Sequence, residues 1–516
     1  MRTRFNLGDL FDSASTPFDK PAVIDLSGSE PREVSFGELD AMAAAVARGL
    51  LARGMARGDA VAILSANRSE FLAAYLGTMR AGLVAVPINH RFPREMIDFV
   101  LGDSGARLVF CDAERLPVCP PDLPAVVFGA TGDERPQRAA FDTLLDPGPF
   151  EPVVPAADET AMLLYTSGST GKPKGVVLSH RSHLWVAETR MQGQDLGRHR
   201  FLIAAPLYHM NALALSKLTL AAGATMVLLP QFTPQGYMAA IERYRCSWLT
   251  AVPPMVAMML RETEQVARTD FSSVEYLRMG SAPVSPALLE AIHRVMPAAV
   301  VVNAYGTTEC GPVVFGPHPR GLRQPTLSVG YPHPGVALRL ADGDDRDADQ
   351  GVLEMKSPAC MTGYHRRPDL APPFTDDGFY ITGDVFRRDA DGFHYFVGRS
   401  DDMFVCGGEN IYPGELEKLL ERHPAIAQAC VVPVDDEIKG QKPVAFCVRR
   451  EDASVSEDEL KRFALDHAPA YMHPRAVWFL DRLPLTATSK IDRALLRQRA
   501  EAATLSSRTV RQEGPR

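Results

Sequence analysis

Residues 165–175 read Tyr-Thr-Ser-Gly-Ser-Thr-Gly-Lys-Pro-Lys-Gly, and this stretch says more about the fold than any other part of the chain. Its glycines let backbone N–H groups turn toward one anion, while hydroxyl groups add hydrogen-bond donors and lysines add positive charge. The stretch therefore predicts a phosphate-binding loop. Its candidate phosphate ligands are Thr166, Ser167, Gly168, Ser169, Thr170, Gly171, Lys172 and Lys174.

This loop is not of the Walker type. That signature has a glycine, four residues and then Gly-Lys-Ser/Thr. Here Thr166 stands at the position of the first glycine, and Pro173 follows Lys172. The common NTPase and kinase interpretations are therefore disfavoured, and a flexible surface loop remains the alternative.

Composition excludes several classes of protein. The chain has 516 residues, too many for one hydrophobic core, and its 55 basic and 63 acidic residues give a net charge of −8 without a basic footprint for nucleic acid. The 8 cysteines include no Cys-x-x-Cys pair, which predicts reduced thiols and no zinc site. No apolar segment resembles a signal peptide, and the apolar stretch 201–230 is interrupted by polar residues. We expect a cytoplasmic protein without a transmembrane segment.

Local patterns predict an α/β fold. Ser35 and Glu38 form a capping box ahead of a helical pattern that stops at Gly54. A strand at 60–64, a helix at 69–79 and a strand at 83–87 follow, and such alternation predicts parallel sheets covered by helices. The acidic residues 342–349 are typical of an exposed turn between strands, with a metal cluster as the weaker alternative.

The order of elements changes after residue 401. Helices are predicted at 413–423, after a capping box formed by Ser456 and Glu459, and at 493–502, and strands at 426–434, 443–449 and 476–480. This pattern indicates a small α+β domain. We expect a large domain at 1–400, a small one at 401–505 and a disordered tail at 506–516.

Further motifs follow the loop in a fixed order: Pro206-Leu-Tyr-His209, Gly280-Ser-Ala-Pro283, Asn303-Ala-Tyr305-Gly-Thr-Thr-Glu309, Thr382-Gly-Asp384, Gly398-Arg399-Ser-Asp401-Asp402, Gly407-Gly-Glu-Asn410 and Thr486-Ala-Thr-Ser-Lys490. With the loop, they resemble the AMP-forming acyl-CoA synthetases, class I of the adenylate-forming, luciferase-like superfamily. The resemblance extends over almost the whole chain. It implies a large N-terminal region of layered βα subdomains, which holds the ATP and acyl sites, and a small mobile α+β C-terminal domain.

The resemblance also implies the reaction. A carboxylic acid would attack ATP to form an acyl-AMP with release of pyrophosphate, and coenzyme A would then take the acyl group with release of AMP. Transfer to a carrier protein or another acceptor is the alternative. A non-catalytic relative would be expected to lack the set Lys490, Glu309 and Asp384, which this chain has. A homodimer is compatible with the sequence.

By the same resemblance, the loop would hold the β and γ phosphates, and Glu309 with Thr170 would bind Mg²⁺. Tyr305 would stack on the adenine, and Asp384 with Arg399 would bind the ribose. The residues implied to surround the rest of the nucleotide are Gly280, Ser281, Ala282, Pro283, Asn303, Ala304, Gly306, Thr307 and Thr308.

Four residues are implied to be catalytic: Lys490, Glu309, Thr166 and His209. Lys490 would neutralise charge during adenylation, and here it follows Ser489 where the family usually has glycine. Asp401 matches the hinge about which the small domain rotates. Coenzyme A would meet Gly407, Gly408 and Lys439, the last at a position where several relatives carry tryptophan.

The acyl pocket is implied to be lined by Tyr208, His209, Met210, Ala214, Met279, Ala304, Gly306 and Cys310. This mixture of small and apolar residues favours a compact acid of roughly four to ten carbons. His209 would position the substrate, with core packing as the alternative. The neighbouring Arg278 is expected to form an ordinary ion pair, and binding a polar group of the substrate is the alternative.

Overall fold

The computed structural model describes residues 4–11, 15–129, 135, 137–166, 172–280, 284–370, 373–406, 409–436, 439–451, 453–486 and 491–512. Its helices are, in chain order, α1 (Phe36–Ala52), α2 (Ser69–Arg80), α3 (Arg94–Ser104), α4 (Phe141–Leu144), α5 (His180–Met191), α6 (Met210–Ala221), α7 (Pro234–Tyr244), α8 (Pro253–Arg261), α9 (Thr263–Arg268), α10 (Pro286–Val295), α11 (Pro413–Glu421), α12 (Glu457–His467) and α13 (Arg493–Gln512).

The strands are β1 (Pro21–Asp25), β2 (Arg32–Ser35), β3 (Ala60–Leu64), β4 (Val84–Pro87), β5 (Ala106–Asp112), β6 (Ala125–Phe128), β7 (Arg138–Ala140), β8 (Thr160–Thr166), β9 (Lys174–Ser179), β10 (Arg200–Ile203), β11 (Thr225–Leu228), β12 (Trp248–Ala251), β13 (Tyr276–Met279), β14 (Val300–Asn303), β15 (Phe315–Gly316), β16 (Tyr331–Pro332), β17 (Ala337–Ala341), β18 (Gln350–Lys356), β19 (Gly363–Tyr364), β20 (Tyr380–Arg388), β21 (His394–Arg399), β22 (Phe404–Cys406), β23 (Glu409–Ile411), β24 (Ile426–Asp436), β25 (Gly440–Arg449) and β26 (Val477–Phe479).

Two large, mostly parallel sheets form the body of the protein and confirm the α/β class. The first has the strand order β14-β13-β12-β10-β11-β1-β2, and the second has the order β19-β9-β8-β4-β3-β5-β6-β7. β3 reads Ala-Val-Ala-Ile-Leu and is buried at every position, as expected for a strand covered on both faces. The predicted units around residues 60–87 are confirmed to within one residue.

Helices α1, α2, α5 and α6 pack between the two sheets, because one core cluster contains side chains of these helices and of strands from both sheets. The Ser35–Glu38 capping box at the start of α1 is confirmed, with both of its hydrogen bonds present. Helices α7, α8 and α10 cover the outer face of the first sheet, and α3 covers that of the second. Each sheet is therefore buried on two sides.

A smaller antiparallel sheet follows, with the strand order β17-β18-β20-β21. The acidic stretch 342–349 joins β17 to β18 and is largely exposed, which confirms the predicted turn. Asp384 on β20 lies directly opposite Arg399 on β21. This register fixes the geometry of the candidate ribose-binding residues.

The last sheet is built from strands that follow residue 401: β23-β22-β25-β24, with β26 beside β25. The predicted capping box at Ser456 and Glu459 is present at the start of α12. The predicted end of the final helix was wrong, because α13 continues to Gln512 through part of the stretch expected to be disordered. Residues 502–512 contain neither glycine nor proline, so nothing in that stretch stops a helix.

The expectation of reduced thiols was wrong for one pair of cysteines. Cys310 and Cys360 are joined through their sulfur atoms. Their Cα atoms are 3.7 Å apart, closer than the roughly 4.4–6.8 Å of ordinary disulfides. The other six cysteines are free and buried. No helix in the part of the chain that the structure describes is both long and apolar enough to cross a membrane.

Two helical glycines allow a test of the α1–α2 packing. A Cβ atom at Gly77 on α2 would lie 2.5 Å from the carbonyl oxygen of Ala43, so Gly77→Ala forces the helices apart. A Cβ atom at Gly102 on α3 would meet nothing within 4 Å. We expect Gly77→Ala to lower the free energy of unfolding by about 1–3 kcal/mol and Gly102→Ala to raise it by about 0.5–1 kcal/mol. Denaturant unfolding of both variants measures the difference, and equal effects would contradict the tight contact.

Candidate active site

The parallel strands of the first sheet bring several of the sequence motifs to one edge. The motif ending at His209 follows β10, Gly280 follows β13, and the loop from Ala304 to Glu309 follows β14. Carboxyl ends of neighbouring parallel strands meet at the same edge, where open α/β sheets bind ligands. Topology alone therefore gathers residues that lie far apart in the sequence.

The two ends of the predicted phosphate-binding stretch lie on paired strands of the second sheet. Thr166 at the end of β8 pairs with Lys174 at the start of β9. The ammonium group of Lys174 lies 5.4 Å from the ring centre of Tyr364, and that of Lys172 lies 5.8 Å from the ring centre of Phe99. The predicted ligands Ser167, Gly168, Ser169, Thr170 and Gly171 lie outside the described residues.

Glu309 lies beside this hairpin, because β19 pairs with β9 and carries Tyr364. The Tyr364 hydroxyl donates a hydrogen bond of 3.2 Å to the Glu309 carboxylate. Burial raises the pKa of Glu309 above its ordinary value. The described residues provide no lysine or arginine within ion-pair distance of it.

This environment fits a divalent cation. A half-buried carboxylate that is costly to ionise and has one hydroxyl donor gains most from a hard cation. Within the described ranges there is no cluster of three or more acidic, histidine or cysteine side chains that could hold a metal by itself. Phosphate oxygens would therefore have to complete the coordination around Glu309.

A second group of residues links Tyr305, Asp384, Arg399 and Asp401. The Tyr305 hydroxyl donates a short hydrogen bond to Asp384. Arg399 donates to Asp384 Oδ1 over 3.0 Å and to both oxygens of Asp401 over 2.9 and 3.1 Å. Asp384 is only 7% exposed. Four predicted residues are thus brought together as one hydrogen-bonded unit.

The electrostatics of this unit favour the charged forms of Arg399 and Asp401. Burial opposes the charge on Arg399, but hydrogen bonds and the charges of Asp401 and Asp384 raise its pKa overall. Arg399 and its own bonds to Asp401 lower the pKa of that carboxyl group, even though burial opposes the shift. Burial and the nearby Asp384 charge raise the pKa of Tyr305, so its hydroxyl keeps its proton.

The residues predicted beside the adenine are in close contact with one another. A Cβ atom at Gly280 would lie 2.9 Å from the Ala304 carbonyl oxygen, and one at Gly306 would lie 2.7 Å from Pro312 Cα. Only glycine allows these approaches. Asn303 donates to the Leu327 carbonyl over 3.0 Å, so part of its amide is engaged by the backbone. The Thr307 hydroxyl accepts from the Cys310 N–H and shapes the loop that also holds Thr308. Ser281, Ala282 and Pro283 lie outside the described residues.

The predicted acyl residues are divided between two sides of the first sheet. His209 precedes α6, which carries Met210 and Ala214, and its ring lies 4.6 Å from that of Tyr208. Burial raises the pKa of Tyr208 to about 12, and its hydroxyl has no hydrogen-bond partner among the described residues. Met279, in contrast, packs with Leu277 in the core beneath α7, α8 and α10.

Strand alternation then decides which β13 side chain faces the site. Successive side chains of a strand point to opposite faces, so Arg278 faces the side away from Met279. Its guanidinium group donates a hydrogen bond of 3.2 Å to the carbonyl oxygen of Pro312, next to the loop that carries Cys310. No carboxylate in the described part of the chain pairs with it. The expectation of an ordinary ion pair for Arg278 was therefore wrong.

The C-terminal candidates are only partly described. Lys490, Gly407 and Gly408 lie outside the described residues. The Lys439 N–H donates to Asp436 in the turn before β25. Helix α11 of the small domain contacts the large domain, since Lys418 on α11 donates a hydrogen bond of 2.6 Å to the carbonyl oxygen of Phe396.

Sequence reasoning missed two residues of this region. Tyr364 bonds Glu309 only because β19 pairs with β9, and Arg190 on α5 lies near Arg278 only in the folded chain. Neither is in a recognisable motif. A lone tyrosine or arginine gave no signal in the sequence.

Comparison with known proteins agrees with this geometry. Residues 10–365 match the AMP-binding enzyme family, and residues 415–490 match the AMP-binding enzyme C-terminal domain. A sulfoacetate–CoA ligase from Cupriavidus necator is 32% identical over 93% of this chain and 94% of its own length. A feruloyl-CoA synthase from Amycolatopsis is 33% identical over 90% of this chain and 94% of its own length. Among solved structures, ATP-bound MatB from Rhodopseudomonas palustris has a TM-score of 0.85 and 29% identity, covering 97% of this chain and 99% of that one.

The fold and the matched domains together define an adenylate-forming enzyme. The chain belongs to the AMP-binding family of acyl-CoA synthetases, the AMP-forming acid–thiol ligases, which use ATP and coenzyme A. The predicted family, fold class and type of reaction are thereby confirmed.

The Tyr305–Asp384 hydrogen bond can be tested without removing the ring. Tyr305→Phe keeps the aromatic face and removes one donor from a buried carboxylate, which costs roughly 1.5–3 kcal/mol. We expect KM for ATP to rise about tenfold or more, since tenfold corresponds to about 1.4 kcal/mol. Tyr395→Phe is the matched control, because Tyr395 donates a similar bond to Asp389 outside the site. An unchanged KM in Tyr305→Phe would contradict a role in ATP binding.

Proposed function

We propose that this enzyme converts a small carboxylic acid, with ATP and Mg²⁺, into an acyl-adenylate and then into its coenzyme A thioester in the cytoplasm. The observation that carries the proposal is the convergence of Lys174, Tyr364 and Glu309 on one side and Tyr305, Asp384 and Arg399 on the other. By their names, the relatives act on acids as different as sulfoacetate and ferulate. Their similarity therefore does not determine which acid this enzyme activates.

In the first step, a carboxylate oxygen attacks the α-phosphorus, and the bond to the pyrophosphate oxygen breaks. Both reactants are anions, so positive charge and N–H dipoles must surround the phosphates. Lys172, Lys174 and the loop between β8 and β9 would supply them for the β and γ phosphates. Lys490 would act at the α-phosphate, and Thr166 would help to hold the loop.

Glu309, with Thr170, would hold Mg²⁺, which supplies charge neutralisation to the phosphate oxygens when bound. Tyr364 would orient the Glu309 carboxylate through its hydrogen bond. On the nucleoside side, Tyr305 would lie against the adenine while Asp384 accepts from the ribose hydroxyls. Arg399 would hold the Asp384 carboxylate in position for that purpose through their ion pair.

In the second step, the thiol sulfur attacks the acyl carbon, a C–S bond forms, and AMP leaves with its phosphate oxygen. By resemblance to the family, the thiol would need the space taken in the first step by the lysine-bearing face of the small domain, so the small domain would rotate about Asp401. Gly407 and Gly408 would then approach the pantetheine, and Lys439 would pair with a phosphate of coenzyme A. His209 would position the acyl group between the two sites. A carrier protein as acceptor is the alternative, and a homodimer is compatible with these roles.

The main test is whether Lys490 acts in adenylation and not in thioester formation. Lys490→Ala should cut pyrophosphate release by about a hundredfold, the loss expected for one preorganised electrostatic contact. Thioester formation from supplied acyl-AMP and coenzyme A should remain, because that step does not need this lysine. Both half-reactions are measured separately in the variant and in the wild type.

Lys461→Ala is the matched control, since Lys461 forms a surface pair with Glu457 in the same domain. Equal loss of both half-reactions in a folded Lys490→Ala enzyme would refute the assigned role. A wild type that adenylates acids but transfers them only to a carrier protein would favour the alternative acceptor.

The hinge can be tested in the same assay. Asp401→Pro fixes φ near one value and should hold the small domain in one orientation. We expect pyrophosphate release to persist while thioester synthesis is lost. Asp401→Ala is the control, because it removes the bonds to Arg399 without fixing the backbone. If the proline variant behaves like the alanine variant, the pivot lies elsewhere.

A further inference from the structure

Two arginines without a carboxylate partner lie close together beside the predicted acyl pocket. Arg278 on β13 reaches the carbonyl of Pro312. Arg190 lies on the last turn of α5, one helical turn after Val186, which packs against Val313. Arg278 therefore contacts the same Pro312–Val313 segment against which α5, the helix that carries Arg190, packs.

The charge of Arg278 reaches Arg190 in the folded chain. Burial lowers the pKa of Arg278 to about 10. Burial lowers the pKa of Arg190 well below its ordinary value, and the charge of Arg278 adds to that shift. Among the described residues, no carboxylate offsets either charge. The folded protein therefore bears the cost of two neighbouring, desolvated guanidinium groups.

Other shielded arginines of this chain are compensated. Arg68 contacts Glu70 and Asp112, Arg80 contacts Asp40, and Arg493 contacts Glu417. Arg138 is bound differently, since its two terminal nitrogens donate to the carbonyls of Leu123 and Pro120. Arg190 is half-buried and has neither kind of partner in the described structure. Its charge is therefore left without a compensating protein group in the part of the chain that the structure describes.

The position of the pair relates it to the acid substrate. β12 places Thr250 beside Arg278, and Thr250 donates to Asn211, the residue after Met210 of the predicted pocket. On the other side, Pro312 follows the loop that carries Tyr305 and Cys310. The arginines thus lie between α6 and the loop that binds the nucleotide, where the far end of a short acid would reach.

We propose that Arg190 and Arg278 together bind a second anionic group on the substrate, so that the enzyme activates short acids with a carboxylate or sulfonate at the far end. Guanidinium forks match the oxygen geometry of both groups, and the two cations would stabilise the negative charge at the far end while the other carboxylate reacts. A monocarboxylic acid would leave the pair uncompensated. This inference rests on the proposed ligase function and specifies its substrate class.

Chain-matched acids provide the test. Pyrophosphate release is measured for butanoate, succinate and 3-sulfopropanoate, and for the corresponding sets one methylene shorter and longer. We expect wild-type kcat/KM to favour a dianionic acid over its matched monoacid by about tenfold or more. The carboxylate and sulfonate arms identify which anion is preferred.

Arg278→Met and Arg190→Met should each lower the ratio of dianionic to monoacid kcat/KM by about 10- to 100-fold, the effect of losing one charged hydrogen-bonding partner. Arg278→Lys should retain part of the preference because it keeps the charge. Calorimetric binding of the preferred dianion should weaken in parallel. Arg200→Met is the matched control, since the Arg200 guanidinium group donates to the Tyr244 carbonyl outside the site.

Three results would overturn the inference. The wild type could have a higher kcat/KM for the monoacid at every chain length. The variants could lower kcat/KM for dianionic acids and monoacids by the same factor. They could also raise KM for ATP or coenzyme A and leave KM for the acid unchanged. Activity confined to monoacids would refute only the second-anion site. Absence of pyrophosphate release with every acid would refute the ligase function itself.

Discussion

One guanidinium group ties the nucleotide site to the point where the two domains join. Arg399 donates hydrogen bonds to Asp384 in the large region and to both carboxylate oxygens of Asp401. Such charge-assisted, forked bonds are directional, so they fix angles as well as distances. Because β20 and β21 set Asp384 opposite Arg399, the geometry depends on backbone register and not on flexible side chains alone. The ribose-binding candidate and the hinge candidate therefore share one structural support.

The remainder of the candidate site follows from how two sheets are joined. The first sheet contributes the carboxyl ends of β10, β13 and β14, and the second contributes the β8–β9 hairpin. Tyr364 connects the two groups, since it lies on β19 beside the hairpin and bonds Glu309 from the loop after β14. Glycine at positions 280 and 306 lets these loops approach within van der Waals limits. Close packing of loops, more than any single residue, positions the candidate catalytic groups.

Sequence patterns predicted the parts of this molecule that are local. Capping boxes at Ser35 and Ser456, and the apolar runs of β3 and β4, depend on neighbours within a few residues. The motifs of the nucleotide site were also visible, because they are contiguous. The Arg190–Arg278 pair, the Tyr364–Glu309 bond and the orientation of Met279 depend on strand order and on which strand face meets which helix. Such information is absent from any short stretch, so those features emerged only from the fold.

The hairpin that carries the phosphate-binding stretch also limits how this protein can change during evolution. Thr166 and Lys174 are paired across β8 and β9, and side chains alternate between the two faces along each strand. An insertion or deletion that shifted this register by one residue would turn the Lys174 side chain away from Tyr364. The neighbouring side chains would then lie on the opposite face of the sheet. The number of residues between β8 and β9 is therefore constrained, in addition to any constraint that phosphate binding would place on their identity. Natural and engineered variants should keep the length of this segment constant.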